Sequence, residues 1–276
     1  TSRRVAVLRD DVAKKIAAGE VIDRPLSVVR ELLDNSIDAG ADSIEVEIRG
    51  GGIEEIRVVD NGSGMTEEDI DLCTAPHATS KIRTIDDLMT TRTLGFRGEA
   101  LSSIASSARL EVTSATADAE AGHRLVVHGG KRIAFETYSR QTGTTVSVKD
   151  LFFAVPARRR FLKRPSSEAG KCRAVVLEHA LAHPEIAFRY SQDGEIRHVL
   201  TPAEDRVLRA ASVFPDHLDP AILFEASVDS EGIRVQAIVS DPSFHRGDRR
   251  YIYIFVNGRR IEEFALIQAV TYGYQG

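Results

Sequence analysis

The chain has 276 residues, 42% of them hydrophobic and 28% charged, with a formal net charge of −5. That is the composition of a soluble globular protein of about two domains, able to bury a sizeable core without disulfides or metals, and it excludes a histone-like polycation. No apolar run approaches the roughly 18 residues of a membrane span and no signal peptide is visible, so no membrane partner is expected.

Cys73 and Cys172 show no CxxC spacing, which points to a reduced, cytoplasmic setting. The start at Thr1-Ser2, without Met, reads as a trimmed start or a tag scar. The charge is unevenly spread. Residues 1–150 carry 19 basic and 25 acidic side chains, residues 151–276 carry 17 and 16. Within 154–173 stand Arg158, Arg159, Arg160, Lys163, Arg164, Lys171 and Arg173 against Glu168 alone, and a second basic cluster gathers Arg246, Arg249, Arg250, Arg259 and Arg260. Either patch suits phosphate; a merely solvated surface is the plain alternative.

In chain order, DVAKKIAAG (11–19) predicts a short helix stopped by Gly19. Asp23 and Pro25 open a second helix that runs to about Asp38 and stops at Gly40. Its apolar stripe is read as Leu26, Val29, Leu33 and Ile37, with Glu31 and Asn35 on the other side, about 40° apart. IEVEI (44–48) and IEEIRVVD (53–60) alternate around GGG as a hairpin. TEEDIDL (66–72) reads as a capped helix, residues 73–100 as a long, weakly periodic connection, and ALSSIASSA (100–108) as a helix of small residues. Strands follow at 109–115, 123–128, 131–138 and 144–150. Residues 166–184 predict a helix ending before Pro184, and 186–200 a hairpin turning at Asp193-Gly194. TPAED (201–205) looks like a capping box for a helix from about 207, before strands at 222–229, 232–240 and 250–256 and a helix from about 262. The end, TYGYQG, offers no structural stop, as in a fragment of a longer chain.

Four stretches carry chemistry. Glu31 and Asn35 lie one helical turn apart; a carboxylate there can take a proton from water, and a carboxamide can offer oxygen to Mg²⁺. In DNGSG (60–64), a strand-end Asp followed by glycines can present a carboxylate to an exocyclic amine such as adenine's; a plain Asn-Gly turn is the alternative. HATSK (77–81) and LGFRGEAL (94–101) bring a glycine-rich approach to a helix start, which suits phosphate, although no Walker-type GxxxxGK[ST] is present. GTTVSV (143–148) supplies a Thr hydroxyl near a base-reading carboxylate, or an ordinary buried strand. His179 and His183, four apart, have no further Cys/His cluster to complete a zinc site.

Taken in order, these stretches resemble the Bergerat-type (GHKL) nucleotide-binding superfamily of gyrase B subunits, heat-shock ATPase chaperones, sensor histidine kinases and MutL mismatch-repair proteins. RELLDNSIDAGAD, DNGSGM, HATSKI, LGFRGEALSSIAS and DLFFAVPARRRFL together are similar to MutL over most of residues 10–165, and more loosely on to YIFVNGRRI (253–261). The resemblance implies an α/β fold: a Bergerat-type sandwich of a mixed sheet with helices on one face, in residues 1–205. A smaller, incomplete α/β domain, ribosomal-protein-like, would follow in 206–276. It implies ATP hydrolysis with Mg²⁺. Glu31 resembles the general base, Asn35 the Mg²⁺ ligand, and Asp60 the adenine-recognising carboxylate, with Gly64 and Thr145 near the base. Ala78, Thr79, Ser80, Gly95, Phe96, Arg97, Gly98, Glu99, Ala100 and Leu101 match the lid and phosphate-binding segments. Arg259 matches a position associated with DNA binding, to which Arg158, Arg159, Arg160, Lys163 and Arg164 would add a non-specific surface.

The implied function is DNA mismatch repair in a bacterial, nucleoid-associated setting. Lid ordering around ATP would drive dimerisation of N-terminal domains and couple a MutS-type recognition protein to a downstream nuclease or helicase. The sequence departs from the family at Pro76, where Arg often precedes HATSK, and it contains no HPxK-type lysine. A nucleotide-gated clamp without catalysis and a gyrase-type ATPase region are the rival readings.

Overall fold

The computed structural model describes residues 21–76, 78, 94, 98–215, 218–244 and 249–274. The helix expected at 11–19 lies outside them. The chain divides into two compact units. The first ends at Val176 and takes back Arg189–His198; the second holds Leu177–Phe188 and the residues from Val199 onward. The 205/206 boundary expected from sequence thus falls inside the second unit.

The first unit is built on α1 (Pro25–Asp38), β1 (Ser43–Arg49), β2 (Glu55–Asp60), α2 (Glu67–Leu72), α3 (Ala100–Ser107), β3 (Arg109–Ala115), β4 (Gly122–His128), β5 (Lys131–Tyr138), β6 (Gly143–Lys149) and α4 (Pro156–Arg159). The long helix α5 (Pro165–Ala182) and the hairpin β7 (Ala187–Gln192) and β8 (Glu195–Leu200) follow. The eight strands form one sheet in the order β5-β4-β3-β6-β2-β1-β7-β8. From β5 to β1 every neighbouring pair is antiparallel. Against β1 the chain runs the same way in β7: Arg189 pairs with Glu45, and further along Asp193 N–H reaches the Ile48 carbonyl. The sheet is mixed, with Asp193 and Gly194 both at positive φ in its last hairpin, as a tight turn there requires.

Period-two alternation sorts the two faces. Ile48, Ile56, Val148 and Leu110 stand opposite one another across four strands, and Val46, Val58, Val146 and Val112 form the next row. Both rows are buried. The helices cover this face: α1 lies on β1 and β2, α3 on β3 and β4, and α2 on β4. The uncovered face is polar, with Arg124 paired to Glu111 and Glu136 and Lys149 to Glu55. A one-residue slip in register would exchange the two sets, so the register is strongly specified.

The stripe of α1 differs from the one expected. Pro25, Val28, Val29, Leu32, Leu33 and Ser36 are buried, whereas Leu26 and Ile37 are only half-buried. A helix laid on a broad sheet face buries paired positions, so its apolar arc is wider than a single seam and is turned from it.

The second unit contains α6 (Arg206–Val213), the hairpin β9 (Leu223–Ser230) and β10 (Ile233–Ser240), the short pair β11 (Ile254–Val256) and β12 (Arg259–Ile261), and α7 (Phe264–Gly273). Its core joins Ala210, Ala211 and Leu223 with Leu181, Val207, Leu218, Ile222 and Ile238. The Thr201–Glu204 capping box does not form the start of α6. Asp205 caps it instead, accepting from Leu208 N–H at 2.8 Å, while the Ala203 amide, just after Thr201, is drawn to the Pro184 carbonyl at 2.9 Å. The strand expected at 250–256 shortens to 254–256.

Candidate nucleotide site

The apolar rows give way to polar residues at one end of the covered face. There Asp60, Thr144 and Ser114 stand opposite one another on β2, β6 and β3. Asp60 is 8% exposed and its carboxylate is held from three sides. Ser36 Oγ of α1 donates to Oδ2 at 2.9 Å; the amides of Gly62 and Thr144 donate to Oδ1 at 3.0 and 3.2 Å. Ser114 Oγ donates to the Gly143 carbonyl at 3.0 Å, accepts from Met65 N–H at 2.8 Å, and lies 2.9 Å from Thr144 Oγ1. The site is a fixed acceptor ringed by hydroxyls, with its orientation set by four separate elements.

The surrounding motif residues explain themselves by this geometry. Asn61 Oδ1 accepts from the amides of Asp42 and Ser43, and its Nδ2 donates to Asp42 at 2.6 Å, which ties the turn to the loop after α1. Gly64 and Gly143 adopt φ of 72° and 118°. A Cβ on Gly64 would run into the Ala115 carbonyl, and one on Gly143 into the Asp60 carbonyl. Only glycine lets these backbones pass so closely.

Glu31 and Asn35 are half-buried on the flank of α1, next to the buried arc that carries Ser36. Asp38, at the end of the same helix, accepts from Leu94 N–H at 2.8 Å. Ala78 is half-buried, Gly98 turns at φ 61°, Glu99 precedes α3, and Ala100 and Leu101 open it. Thr79, Ser80, Gly95, Phe96 and Arg97 lie outside the described residues, as does most of the connection expected over 73–100. Small residues let α3 sit close to the sheet: Ser103 and Ser107 are buried, and Ser107 Oγ bonds back to the Ser103 carbonyl at 3.0 Å.

Thr145 does not join this cluster. It stands opposite Val59 and Thr113, so alternation points it to the uncovered face; the hydroxyl beside Asp60 is that of Thr144. Ser36, Ser114 and Thr144 are the site residues that sequence reasoning missed. Ser36 had one signal, a hydroxyl among apolar helix positions, but only the sheet register identifies the other two.

The donor set suits an adenine nucleotide. A carboxylate whose oxygens receive one hydroxyl and two amides keeps acceptor capacity for an exocyclic amine. Among the described residues no group of three or more His, Cys, Asp or Glu could hold a metal ion. A cation bound through Asn35 would therefore complete its shell with phosphate and water oxygens, as Mg²⁺ does.

Comparison with known proteins agrees with this geometry. Residues 24–148 match the family of histidine kinase-, DNA gyrase B- and HSP90-like ATPases, and residues 213–276 match the C-terminal domain of DNA mismatch repair proteins. MutL of Treponema pallidum is 43% identical over 281 residues, covering 98% of this chain and 45% of that protein. The chain belongs to the MutL family. A Neisseria meningitidis MutL is 41% identical over 99% of this chain and 41% of its own length. The chain thus spans less than half the length of these MutL relatives. Among solved structures, the Aquifex aeolicus MutL ATPase domain complexed with ADP has a TM-score of 0.70 at 29% identity, over 91% of this chain and 88% of that one. The N-terminal domain of a DNA repair protein has a TM-score of 0.81 at 29% identity, over 98% and 84%. The fold is that of a MutL-type GHKL ATPase domain.

Of the DNA-binding candidates, Arg159, Arg160, Lys163 and Arg164 are exposed, and so is Arg259 on β12. Arg158 is half-buried and donates to the Ile22 carbonyl at 3.2 Å. Arg260, next to Arg259, turns inward to the carbonyl of Ile252 at 3.1 Å and lies over the Tyr253 ring.

Proposed function

We propose that this chain is the ATP-binding and ATP-hydrolysing region of a MutL protein that acts in DNA mismatch repair. The observation that carries the reading is the Asp60 carboxylate, nearly buried yet kept as an acceptor by Ser36, Gly62 and Thr144. Asp60 reads the adenine amine, with Gly64 leaving the backbone close to the base. Ala78, Thr79, Ser80 and residues 95–101 hold the phosphates, with backbone N–H groups at the start of α3 facing the charge. Glu31 aligns a water and accepts its proton as the water oxygen bonds to the γ-phosphorus. The bond to the leaving oxygen breaks, and ADP and phosphate depart. Mg²⁺, when bound through Asn35, offsets phosphate charge.

Nucleotide binding brings two N-terminal regions into a dimer. The dimer then engages DNA non-specifically and couples a MutS-type protein to a downstream nuclease or helicase, in the bacterial cytoplasm at the nucleoid. The closeness to a MutL ATPase domain described as complexed with ADP supports the nucleotide, and the match of residues 213–276 to mismatch-repair proteins supports the pathway.

The test is a pair of variants read by nucleotide titration and phosphate release. Glu31→Ala is expected to bind ATP as the wild type does and to lose hydrolysis by roughly 10²-fold or more. Asp60→Asn is expected to weaken ATP binding at least tenfold, because a carboxamide offers an NH₂ where the amine needs an acceptor. Hydrolysis by Glu31→Ala at the wild-type rate, or unchanged affinity in Asp60→Asn, refutes the corresponding role.

A further inference from the structure

Phe161 is 82% exposed, while Leu151 and Phe152, earlier in the same segment, are 0% and 1% exposed. A single exposed apolar side chain is ordinary. The setting of this one is not. It is flanked by Arg159 and Arg160 on one side and by Lys163 and Arg164 on the other, all exposed. None of the four makes a side-chain hydrogen bond or ion pair among the described residues. Glu168, the only acid between residues 154 and 173, forms no ion pair with these four side chains. It is fully buried, and its Oε1 accepts from the Lys163 amide at 3.0 Å.

The segment that carries these side chains is fastened in place. Phe161 N–H donates to the Arg158 carbonyl at 3.0 Å and Leu162 N–H to that of Arg159 at 3.4 Å. The Arg158 guanidinium reaches the Ile22 carbonyl, and Gly51 abuts Pro165 so closely that a Cβ would collide with the Pro165 carbonyl. An aromatic face is therefore held outward between two pairs of cations. An apolar partner would have to desolvate four charges without counterions. A phosphate backbone supplies the counterions, and a base supplies a flat face for the ring. A duplex keeps its base faces stacked inside, so an unpaired strand fits both halves of the surface.

We infer that Phe161 is a stacking site for an unpaired base of single-stranded DNA, with Arg159, Arg160, Lys163 and Arg164 tracking its phosphates. This rests on reading residues 158–164 as a phosphate-contacting surface, and adds to it an aromatic contact and a preference of strand.

The chain has no tryptophan, so Phe161→Trp installs a sole tryptophan, which can be excited at wavelengths beyond the absorption of the six tyrosines. Oligothymidylate is expected to quench it, while an abasic oligonucleotide of equal length binds without quenching. Phe161→Ala is expected to bind oligothymidylate roughly tenfold more weakly, with its affinity for the abasic strand and for ATP unchanged. Equal affinity of Phe161→Ala and wild type for oligothymidylate overturns the inference, as does equal quenching by the abasic strand or by duplex. So does a change in Phe161→Ala confined to self-association in sedimentation. The double variant Arg159→Ala, Arg160→Ala separates the two layers. If it weakens binding to every strand while Phe161→Ala changes nothing, the phosphate surface stands and the stacking site falls. If it too changes nothing, both fall.

Discussion

Asp60 shows how much a single side chain depends on its neighbours. Its two oxygens accept from Ser36, Gly62 and Thr144, and the hydroxyl of Thr144 is held in turn by Ser114. Such a network fixes the acceptor's direction, and losing one member leaves another buried group short of a partner. Thr144→Val keeps the amide on Asp60 but removes the hydroxyl beside Ser114, and is expected to weaken ATP affinity roughly tenfold, a change of about 1.4 kcal/mol. Thr145→Val, on the uncovered face, should stay within about twofold of wild type. Calorimetric titration of the two variants makes the comparison, and the reverse order of effects would return the role to Thr145. Both cysteines are ill suited to reaction: burial pushes the thiols of Cys73 and Cys172 up to about 12, so both stay protonated near neutral pH.

At the scale of elements, the site exists because β2, β6 and β3 end their apolar rows at the same level and α1 lays Ser36 across them. The β7–β8 hairpin extends the sheet beyond β1 and carries His198 beside Tyr190, with ring centroids 6.3 Å apart. Burial, and then the nearby Arg173 guanidinium, hold the His198 pKa below its ordinary 6.5. The unfolded chain therefore binds the proton more readily than the folded one. Stability attributable to this group is fully present above about pH 6.5 and declines as pH falls through the lower folded-state value. Thermal melts between pH 7.5 and 5.5 should show a smaller loss of stability for His198→Gln than for wild type; equal losses would assign the acid sensitivity to other groups.

For the whole molecule, a net charge of −5 would oppose nucleic acid, and only the local distribution reverses that. Four exposed cations at 159–164 set an upper bound on the phosphates that surface neutralises. The logarithm of affinity for a single strand should fall against the logarithm of salt concentration with a slope of roughly −3, at about 0.7 per phosphate. A slope near zero would remove phosphate contact from this surface. The division into two units bears on where such surfaces belong, since Arg159–Arg164 lie in the first and Arg259 in the second.

The sequence determined by itself what depends on neighbours along the chain. Alternation in IEVEI and RVVD predicted buried strand faces, Pro25 and Gly40 bracketed α1, and Asp193-Gly194 marked a tight turn. The motif order around Glu31, Asn35, Asp60 and residues 94–101 pointed to a GHKL ATPase of MutL type. What depends on residues far apart in the chain was decided only by the tertiary structure. Thr144 and Thr145 are indistinguishable in GTTV, and it is the pairing of β6 with β2 and β3 that aims one at Asp60 and the other away. Asp205 rather than Thr201 caps α6, because the Ala203 amide is taken by the Pro184 carbonyl, a partner 19 residues back. The polar back of RELLDNSIDAGA likewise belongs to a longer arc than its own spacing suggests: Ser36, one residue beyond Asn35, turns inward and steadies the carboxylate of a strand 24 residues on. Hydrogen-bond partners across a sheet are set by register, and register is a property of strands meeting in space.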